Sequence, residues 1–311
     1  MMENLRDSGW LCEYDGPYEA RILKVKESIL SVKTKYQRME LVETYAYGKA
    51  LFLDEKIQCS ELDGFIYHEA LVMPSLIIHP DPKRILIIGG GDGFTLRQVL
   101  QLKGIDVVVM IDIDREVVLA AKEHLSFFHK DSFLDPKVKL KFGDGRKYLE
   151  DTNQIFDVII IDVTDPIKKG PSYLLYTKEF YEIAKKKLAT NGIIAAQAGL
   201  AKIGNLLCLL SVKRTLEEIF LKVRMYTAFI PCFGSAWGFI MASETIDPLV
   251  PSSDEVDRLI GERVKSRLKF YDGECHRHMF SLPKYLRSVP GEAGLDEKGK
   301  IIRDDAPLFV P

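Results

Sequence analysis

The sequence predicts an α/β protein: a mostly parallel, seven-stranded sheet with helices on both faces, preceded by a small antiparallel β domain. Three observations predict it. From residue 84 onward, short apolar runs alternate with amphipathic stretches of helical period, the pattern of a parallel sheet buried on both faces. The stretch LIIGGGDGFTLRQVL, residues 86–100, passes from an apolar strand through four glycines into a helical pattern. Before residue 62 the chain instead alternates with period two and is broken at TKY, YG and DEK, as antiparallel strands joined by tight turns would be.

In chain order, residues 1–62 read as the antiparallel unit, with five or six strands, and 63–311 as the main domain with a C-terminal helix and tail. GFIYHEALVMPSLIIH is helical in its spacing and is stopped by HPDP. RILIIG then leads to FTLRQVLQL, IDVVVMID to REVVLAAKEHL, and KVKLKFGD to GRKYLED. FDVIIID leads through a long loop to KEFYEIAKKKL, and GIIAAQAG to a further helical stretch. VRMYTAFI and WGFIMAS, separated by PCFGSA, read as an antiparallel pair closing the sheet edge, and SDEVDRLIGERVKSRLKFY as one long helix. This succession is Rossmann-like, of the type found in methyltransferases.

Composition excludes several function classes. The chain has 311 residues, 47% hydrophobic and 28% charged, with a net charge of −2, so no basic surface argues for nucleic acid or an anionic membrane. No apolar run approaches the ~20 residues that span a bilayer. The N-terminal MMENLRDSGW lacks a signal-peptide layout. The five cysteines are scattered and without a CxxC, which suits a reducing cytoplasm, the expected location. CHRH, residues 275–278, packs Cys and His too closely to wrap one ion, and no metal is expected.

Ligand sites in such sheets lie outside the carboxyl ends of the strands. Acids gather there: Asp92 after the first strand, Asp112 and Asp114 after the second, Asp144 after the third, and Asp162 and Asp165 after the fourth. No comparable set of basic residues accompanies them, so the cleft is expected to be acidic and its ligand cationic. A glycine turn opening a helix ordinarily receives an anion, yet Asp92 places a carboxylate in it. A dinucleotide fingerprint beginning at Gly89 fails at Phe94, and a pyrophosphate would meet Asp92. Asp112, about twenty residues on, suits ribose hydroxyls, and Asp144 suits an adenine amino group. Taken singly, each acid could instead cap a helix. As a set they point to an adenosine that carries a cation, such as a sulfonium.

IIIDVTDP carries the chemistry. An amine with a pKa near ~10 arrives protonated, and only its neutral form is a nucleophile. Asp162 and Asp165 offer one carboxylate to take the proton and another to hold the amine. The alternative, a Mg²⁺ site, lacks an accompanying phosphate-binding group.

In order and spacing, YHEALV, HPDPKRILIIGGGDG, MIDID, GDGRKYL and DVIIIDVTDP resemble the spermidine synthase family of polyamine aminopropyltransferases. KYQRMEL, GKALFLDEKIQCSELDGFIYHE and GPSYLLYTKEFY extend the resemblance over nearly the whole chain. It implies transfer of an aminopropyl group from decarboxylated S-adenosylmethionine, the co-substrate, to an amine, with release of methylthioadenosine. Asp92 would then attract the bare ammonium of that donor and repel the carboxylate of S-adenosylmethionine itself. The resemblance further implies that Gln37, Gln58, His68, Gly89, Gly91, Asp92, Asp112, Asp144 and Gly145 contact the donor. Asp162, Tyr67 and Asp165 would act in catalysis, and these with Asp92, Gln197, Phe233 and Trp237 would line the acceptor site. Ile167 to Tyr176 would be a gate over the cleft.

Gly199 stands where many spermidine synthases have an acid, and Phe233 where a tyrosine is usual. Both features resemble more the thermospermine synthase and agmatine or triamine aminopropyltransferase branch. They imply a wider pocket, with spermidine or agmatine accepted beside or instead of putrescine, unless another acid such as Glu61 substitutes. Other readings of the fold are a methyltransferase using S-adenosylmethionine and a non-catalytic binding subunit. The N-terminal strands offer an unpaired edge, which the family resemblance implies is covered in a homodimer or homotetramer.

Overall fold

The computed structural model describes residues 9–14, 19–168, 170–287 and 299–310. Five antiparallel strands come first: β1 (Trp10–Tyr14), β2 (Ala20–Lys33), β3 (Arg38–Thr44), β4 (Gly48–Leu53) and β5 (Lys56–Ser60), paired in sequence order. Helix α1 (Gly64–Ile78) follows. It is buried almost all round, as a helix sandwiched between other elements must be. Pro74 inside it cannot donate to the carbonyl of Ala70, and the Tyr226 hydroxyl donates to that oxygen instead, at 3.1 Å. The freed backbone acceptor is thus satisfied from a neighbouring strand.

The second sheet has seven strands in the order β11-β12-β10-β9-β6-β7-β8. Its parallel part comprises β6 (Arg84–Gly89), β7 (Val107–Asp112), β8 (Val138–Phe142), β9 (Phe156–Asp162) and β10 (Leu188–Leu200). β11 (Lys222–Ile230) and β12 (Ser235–Ser243) form the expected antiparallel hairpin, with β12 inserted between β10 and β11. Helices α2 (Phe94–Leu100), α3 (Arg115–His124), α4 (Ser126–His129), α5 (Gly145–Asp151), α6 (Lys178–Lys186) and α7 (Leu207–Glu217) connect the strands. β6 and β9, adjacent at the centre, read ILII and VIII without a polar interruption and are fully buried. That register sets Gly89 beside Asp162, and so brings the glycine turn against the IIIDVTDP segment.

The two sheets are joined at the β11–β12 turn, where the Tyr47 hydroxyl donates to the carbonyl of Pro231 at 2.9 Å and Asp63 accepts from the Cys232 N–H at 2.6 Å. The single helix expected over SDEVDRLIGERVKSRLKFY is not formed. Helix α8 (Ser253–Arg263) stops at Arg263, α9 (Gly273–Phe280) begins after Asp272, and α10 (Lys284–Arg287) follows. The reason lies in a distant residue. Glu69 of α1 is buried and accepts hydrogen bonds from the N–H groups of Lys269, Phe270 and Tyr271, which a helix would hold within itself. No described helix is long and apolar enough to cross a membrane.

Candidate active site

One cleft runs between the N-terminal sheet and the carboxyl ends of β6, β7, β8 and β9. Fifteen candidate residues named from the sequence line it: Gln37, Gln58, Tyr67, His68, Gly89, Gly91, Asp92, Asp112, Asp144, Gly145, Asp162, Asp165, Gln197, Phe233 and Trp237. Among the described residues seven acids face it, namely Glu13, Asp54, Asp92, Asp112, Asp144, Asp162 and Asp165, against one lysine, Lys56. The cleft is therefore acidic, as the strand-end pattern predicts.

Asp162 ends β9 and is held from two sides. The Tyr67 hydroxyl of α1 donates to one carboxylate oxygen at 2.8 Å, and Thr95 Oγ1 of α2 donates to the other at 2.6 Å. Burial pushes the Asp162 carboxyl above the usual range, and nearby Asp92 pushes the same way. Burial, reinforced by Asp162, raises the Tyr67 phenol far enough to keep it a hydrogen-bond donor. Gly89 makes this approach possible. Its φ is +84° and a Cβ there would lie 2.0 Å from the Asp162 carbonyl oxygen.

Asp92 sits in the turn between β6 and α2, buried, with Oδ1 accepting from the Phe94 N–H at 2.8 Å and Oδ2 3.5 Å from His68 Nε2. The opposite ring nitrogen, Nδ1, lies 2.6 Å from the Gly64 carbonyl oxygen. Asp112 ends β7 and accepts from the Asp114 N–H at 2.8 Å. Burial, with Asp114, Asp162 and Asp92 nearby, pushes its carboxyl up to about 7. Asp144 is exposed and also caps α5, accepting from the N–H groups of Arg146 and Lys147, both on Oδ1. Capping and a free acceptor for a ligand thus coexist in one residue.

Asp114 departs from expectation. It does not line the cleft. One oxygen caps α3 through the Glu116 N–H, and the other accepts from Thr34 Oγ1 at 2.6 Å and Gln37 Nε2 at 3.1 Å. With both oxygens engaged and the residue buried, Asp114 orients Gln37 rather than a ligand. Gln58 is braced by its own strand, donating to the Lys56 carbonyl at 3.0 Å.

At the other end of the cleft, a break in register between Gln197 and Leu200 marks a bulge in β10. Gly199 takes φ +81° there, a conformation unfavourable to an acidic side chain. Gln197 is a hub: its amide nitrogen donates to the Val163 carbonyl at 2.7 Å and lies 2.6 Å from the Tyr176 hydroxyl and 3.2 Å from Asp165 Oδ1. Its oxygen accepts from Trp237 Nε1 at 3.1 Å and from the Gly199 N–H at 2.9 Å. Phe233 meets Trp237 edge-on, with ring centroids 4.9 Å apart, and closes the wall. Asp165 is raised by burial. From the loop 167–176, Ile167, Pro171, Ser172 and Leu175 form the opposite wall.

Glu61 does not substitute for a missing acid at this end: it is exposed and accepts from the Lys49 N–H, outside the cleft. Two acids not named from the sequence do reach the cleft, Asp54 and Glu13, the second in β1. Glu13 is paired with Arg21 at 2.5 Å and accepts from the Ile57 N–H at 3.1 Å, and burial still raises its carboxyl. Only the pairing of β1 with β2 and the neighbouring β5 places it there, so its isolated position in the sequence carries no signal. Trp10, by contrast, does not line the cleft and lies under the Lys24 ammonium. His276 of CHRH is buried, between the Tyr271 hydroxyl and the Pro248 carbonyl, each at 2.7 Å. Among the described residues no group of three or more His, Cys, Asp or Glu could hold a metal ion.

Comparison with known proteins decides between the reactions this cleft could serve. Residues 64–254 match the family model of the spermine/spermidine synthase domain, and residues 9–61 that of the spermidine synthase tetramerisation domain. The chain belongs to the spermidine synthase family. It is 43% identical to a polyamine aminopropyltransferase of Sulfurisphaera tokodaii, over 97% of this chain and 98% of that one. It is 39% identical to polyamine aminopropyltransferase 2 of Hyperthermus butylicus, over 97% of each. Among solved structures it resembles a spermidine synthase in complex with the transition-state analogue AdoDATO (TM-score 0.82, 31% identity, 89% of this chain and 93% of the other). It likewise resembles spermidine synthase from Thermotoga maritima (TM-score 0.80, 31% identity, 89% and 92%). The protein is an aminopropyl-transferring enzyme whose co-substrate is decarboxylated S-adenosylmethionine; methyl transfer is not favoured.

Proposed function

We propose that Asp162, Tyr67 and Asp92 carry the transfer, and that the acceptor is longer than putrescine. The observation that supports this most strongly is the register of β6 against β9, which sets Gly89 and the glycine turn that carries Asp92 beside Asp162. In this reading Asp112 takes the ribose hydroxyls, Asp144 the adenine amino group, and Asp92 the ammonium of the aminopropyl arm. Gln37 and Gln58 flank the adenosine, and Gly91 and Gly145 let it approach the backbone. Asp162, its free form directed by Tyr67 and Thr95, accepts a proton from the incoming ammonium. The amine nitrogen then attacks the carbon bonded to sulfur. The C–S bond breaks, its electron pair stays on sulfur, and neutral methylthioadenosine leaves, so no general acid is needed. Asp165, held by Gln197, keeps the acceptor aligned.

The far end supports the longer acceptor. Gly199 brings no acid there and Phe233 no hydroxyl, and Glu13, elsewhere in the lining, is already paired with Arg21. Among the described residues Asp165, engaged by Gln197, is the acid beside Gly199, so a short diamine finds no further carboxylate at this end, whereas spermidine or agmatine extends past it. The N-terminal sheet, matched by the tetramerisation model, supports a homo-oligomer, which we assign as a tetramer. The test is mass spectrometry of the products formed from decarboxylated S-adenosylmethionine with putrescine, agmatine and spermidine in competition. Methylthioadenosine with a tetraamine or an aminopropylagmatine is expected. Spermidine as sole product would overturn the longer-acceptor reading, and no transfer to any amine would overturn the assignment of roles.

A further inference from the structure

His68 occupies an unusual electrostatic position. Its Nδ1 lies 2.6 Å from the carbonyl oxygen of Gly64, one turn earlier in α1. A carbonyl can only accept, so Nδ1 carries the hydrogen. The other nitrogen, Nε2, faces Asp92 Oδ2 at 3.5 Å. In a neutral imidazole with its hydrogen on Nδ1, Nε2 would present a lone pair to a carboxylate, two acceptors facing one another in a buried site. The arrangement is favourable only when Nε2 is protonated as well.

The surroundings agree. Asp162 lies near His68 at the end of β9, and Cys59 of β5 is hydrogen-bonded to Asp92, its thiol kept neutral by burial and by that carboxylate. On α1, Tyr67 is a neutral phenol directed at Asp162, and Glu69 is directed away, onto the 269–271 backbone. From α2, Phe94 stacks on the imidazole with ring centroids 4.4 Å apart, and the guanidinium of Arg97 lies over the outer part of that stack, on Phe94. Beyond α2, Phe128 of α4 continues the stack, and His129 of α4 is held in its neutral form by burial. Burial disfavours a charged His68, but Asp92 and Asp162 outweigh it and hold the imidazole above its ordinary range.

We propose that His68 is an imidazolium in the free enzyme, standing in for the donor's ammonium, and that binding of decarboxylated S-adenosylmethionine expels its proton. This rests on the reading that Asp92 receives that ammonium. Two acids, Asp92 and Asp162, face one cation in the empty site. The donor adds an ammonium and a sulfonium, and an ammonium seated on Asp92 would then lie against the imidazolium. Loss of the Nε2 proton to solvent removes the repulsion and leaves a lone pair that accepts a hydrogen bond from the ammonium. His68 is thus a specificity residue. It keeps Asp92 ionised while the cleft is empty, and it makes the exchange of a proton for an ammonium part of donor recognition.

The test is calorimetry of ligand binding in buffers of different ionisation enthalpy, which counts the protons released. Three ligands are compared: methylthioadenosine, with neither cation; 5′-dimethylsulfonio-5′-deoxyadenosine, with the sulfonium alone; and decarboxylated S-adenosylmethionine, with both. All three share the ribose, so any proton lost from Asp112 is common to them. At pH 6 the decarboxylated donor should release close to one proton more than either other ligand. Its affinity relative to methylthioadenosine should rise up to tenfold per pH unit below the His68 pKa and level off above it. In His68→Gln the excess should vanish while methylthioadenosine binding persists, which also shows that the variant is folded. Equal proton counts for the three ligands, or an excess that survives in His68→Gln, would overturn the proposal. A decarboxylated donor that binds no better than methylthioadenosine at any pH would overturn the underlying placement of the ammonium, and this inference with it.

Discussion

At the scale of single residues, the site depends on acids whose protonation is set by what surrounds them. Asp162 has both oxygens engaged by hydroxyl donors, and its raised carboxyl makes it a stronger acceptor for an ammonium proton than an exposed aspartate. Asp162→Asn should lower kcat/KM by about 10²–10⁴-fold, the range for losing a general base, while the affinity for methylthioadenosine changes little. Steady-state kinetics with a fluorescence or calorimetric titration checks both halves. Asp112 supplies a pH dependence whose sign can be worked out. Its carboxyl titrates at about 7 in the free enzyme, and ribose hydroxyls donate best to the ionised form. Methylthioadenosine should therefore bind more tightly as pH rises, by up to tenfold per unit below about 7, and reach a plateau above it. Asp112→Asn should bind more weakly and lose that slope. A flat profile in the unmodified enzyme would mean that Asp112 does not meet the ribose.

At the scale of elements, much of the architecture was legible because the physics is local. Period-two alternation marks β1 to β5, apolar runs mark the buried strands, and the strand-end rule collects Asp92, Asp112, Asp144, Asp162 and Asp165 in one cleft. What was not legible depends on contacts distant in the chain. Asp114 has the same strand-end position as Asp112, and only the fold shows that Thr34 and Gln37 take its second oxygen. Glu13 enters the cleft through the pairing of β1 with β2. Residues 264–272 carry a helical pattern but follow Glu69, about 200 residues earlier in the chain, whose buried carboxylate takes their N–H groups. That contact gives an element-scale prediction. In Glu69→Gln one side-chain oxygen becomes an N–H₂ group that cannot accept, so the N–H groups of Lys269, Phe270 and Tyr271 lose the carboxylate charge and share one amide oxygen, while the Lys269 N–H faces an N–H₂ group in place of Oε1. The variant should be less stable by about 1–3 kcal/mol in urea unfolding, with faster amide exchange confined to the segment before α9. An unchanged midpoint would show that water replaces the lost acceptor without cost.

At the scale of the whole molecule, the cleft is walled on one side by the N-terminal sheet, so whatever steadies that sheet steadies the site. Glu13, Gln37, Leu51, Leu53 and Gln58 reach the cleft from it, and it is tied to the larger sheet through Tyr47, Asp63 and the β11–β12 turn. Yet among the described residues the five-stranded sheet ends at β1, and three large apolar side chains of this sheet and its connections, Ile22, Tyr45 and Leu62, are 47–70% exposed. Exposed apolar side chains beside an open edge are a liability unless another surface covers them. The tetramer proposed above, if assembled through this sheet, would cover these side chains and stiffen the wall against the donor. Ile22→Glu would place a charge in such an interface, and Tyr45→Glu would do the same at the β3–β4 turn. Sedimentation equilibrium should give four chain masses for the unmodified protein and fewer for the double variant. If the sheet depends on assembly for its rigidity, the smaller species should also bind methylthioadenosine more weakly, because Gln37 and Gln58 reach the cleft from that sheet. A double variant that stays tetrameric would place the interface elsewhere. One that dissociates and keeps full affinity would show that the links to the β11–β12 turn hold the wall unaided.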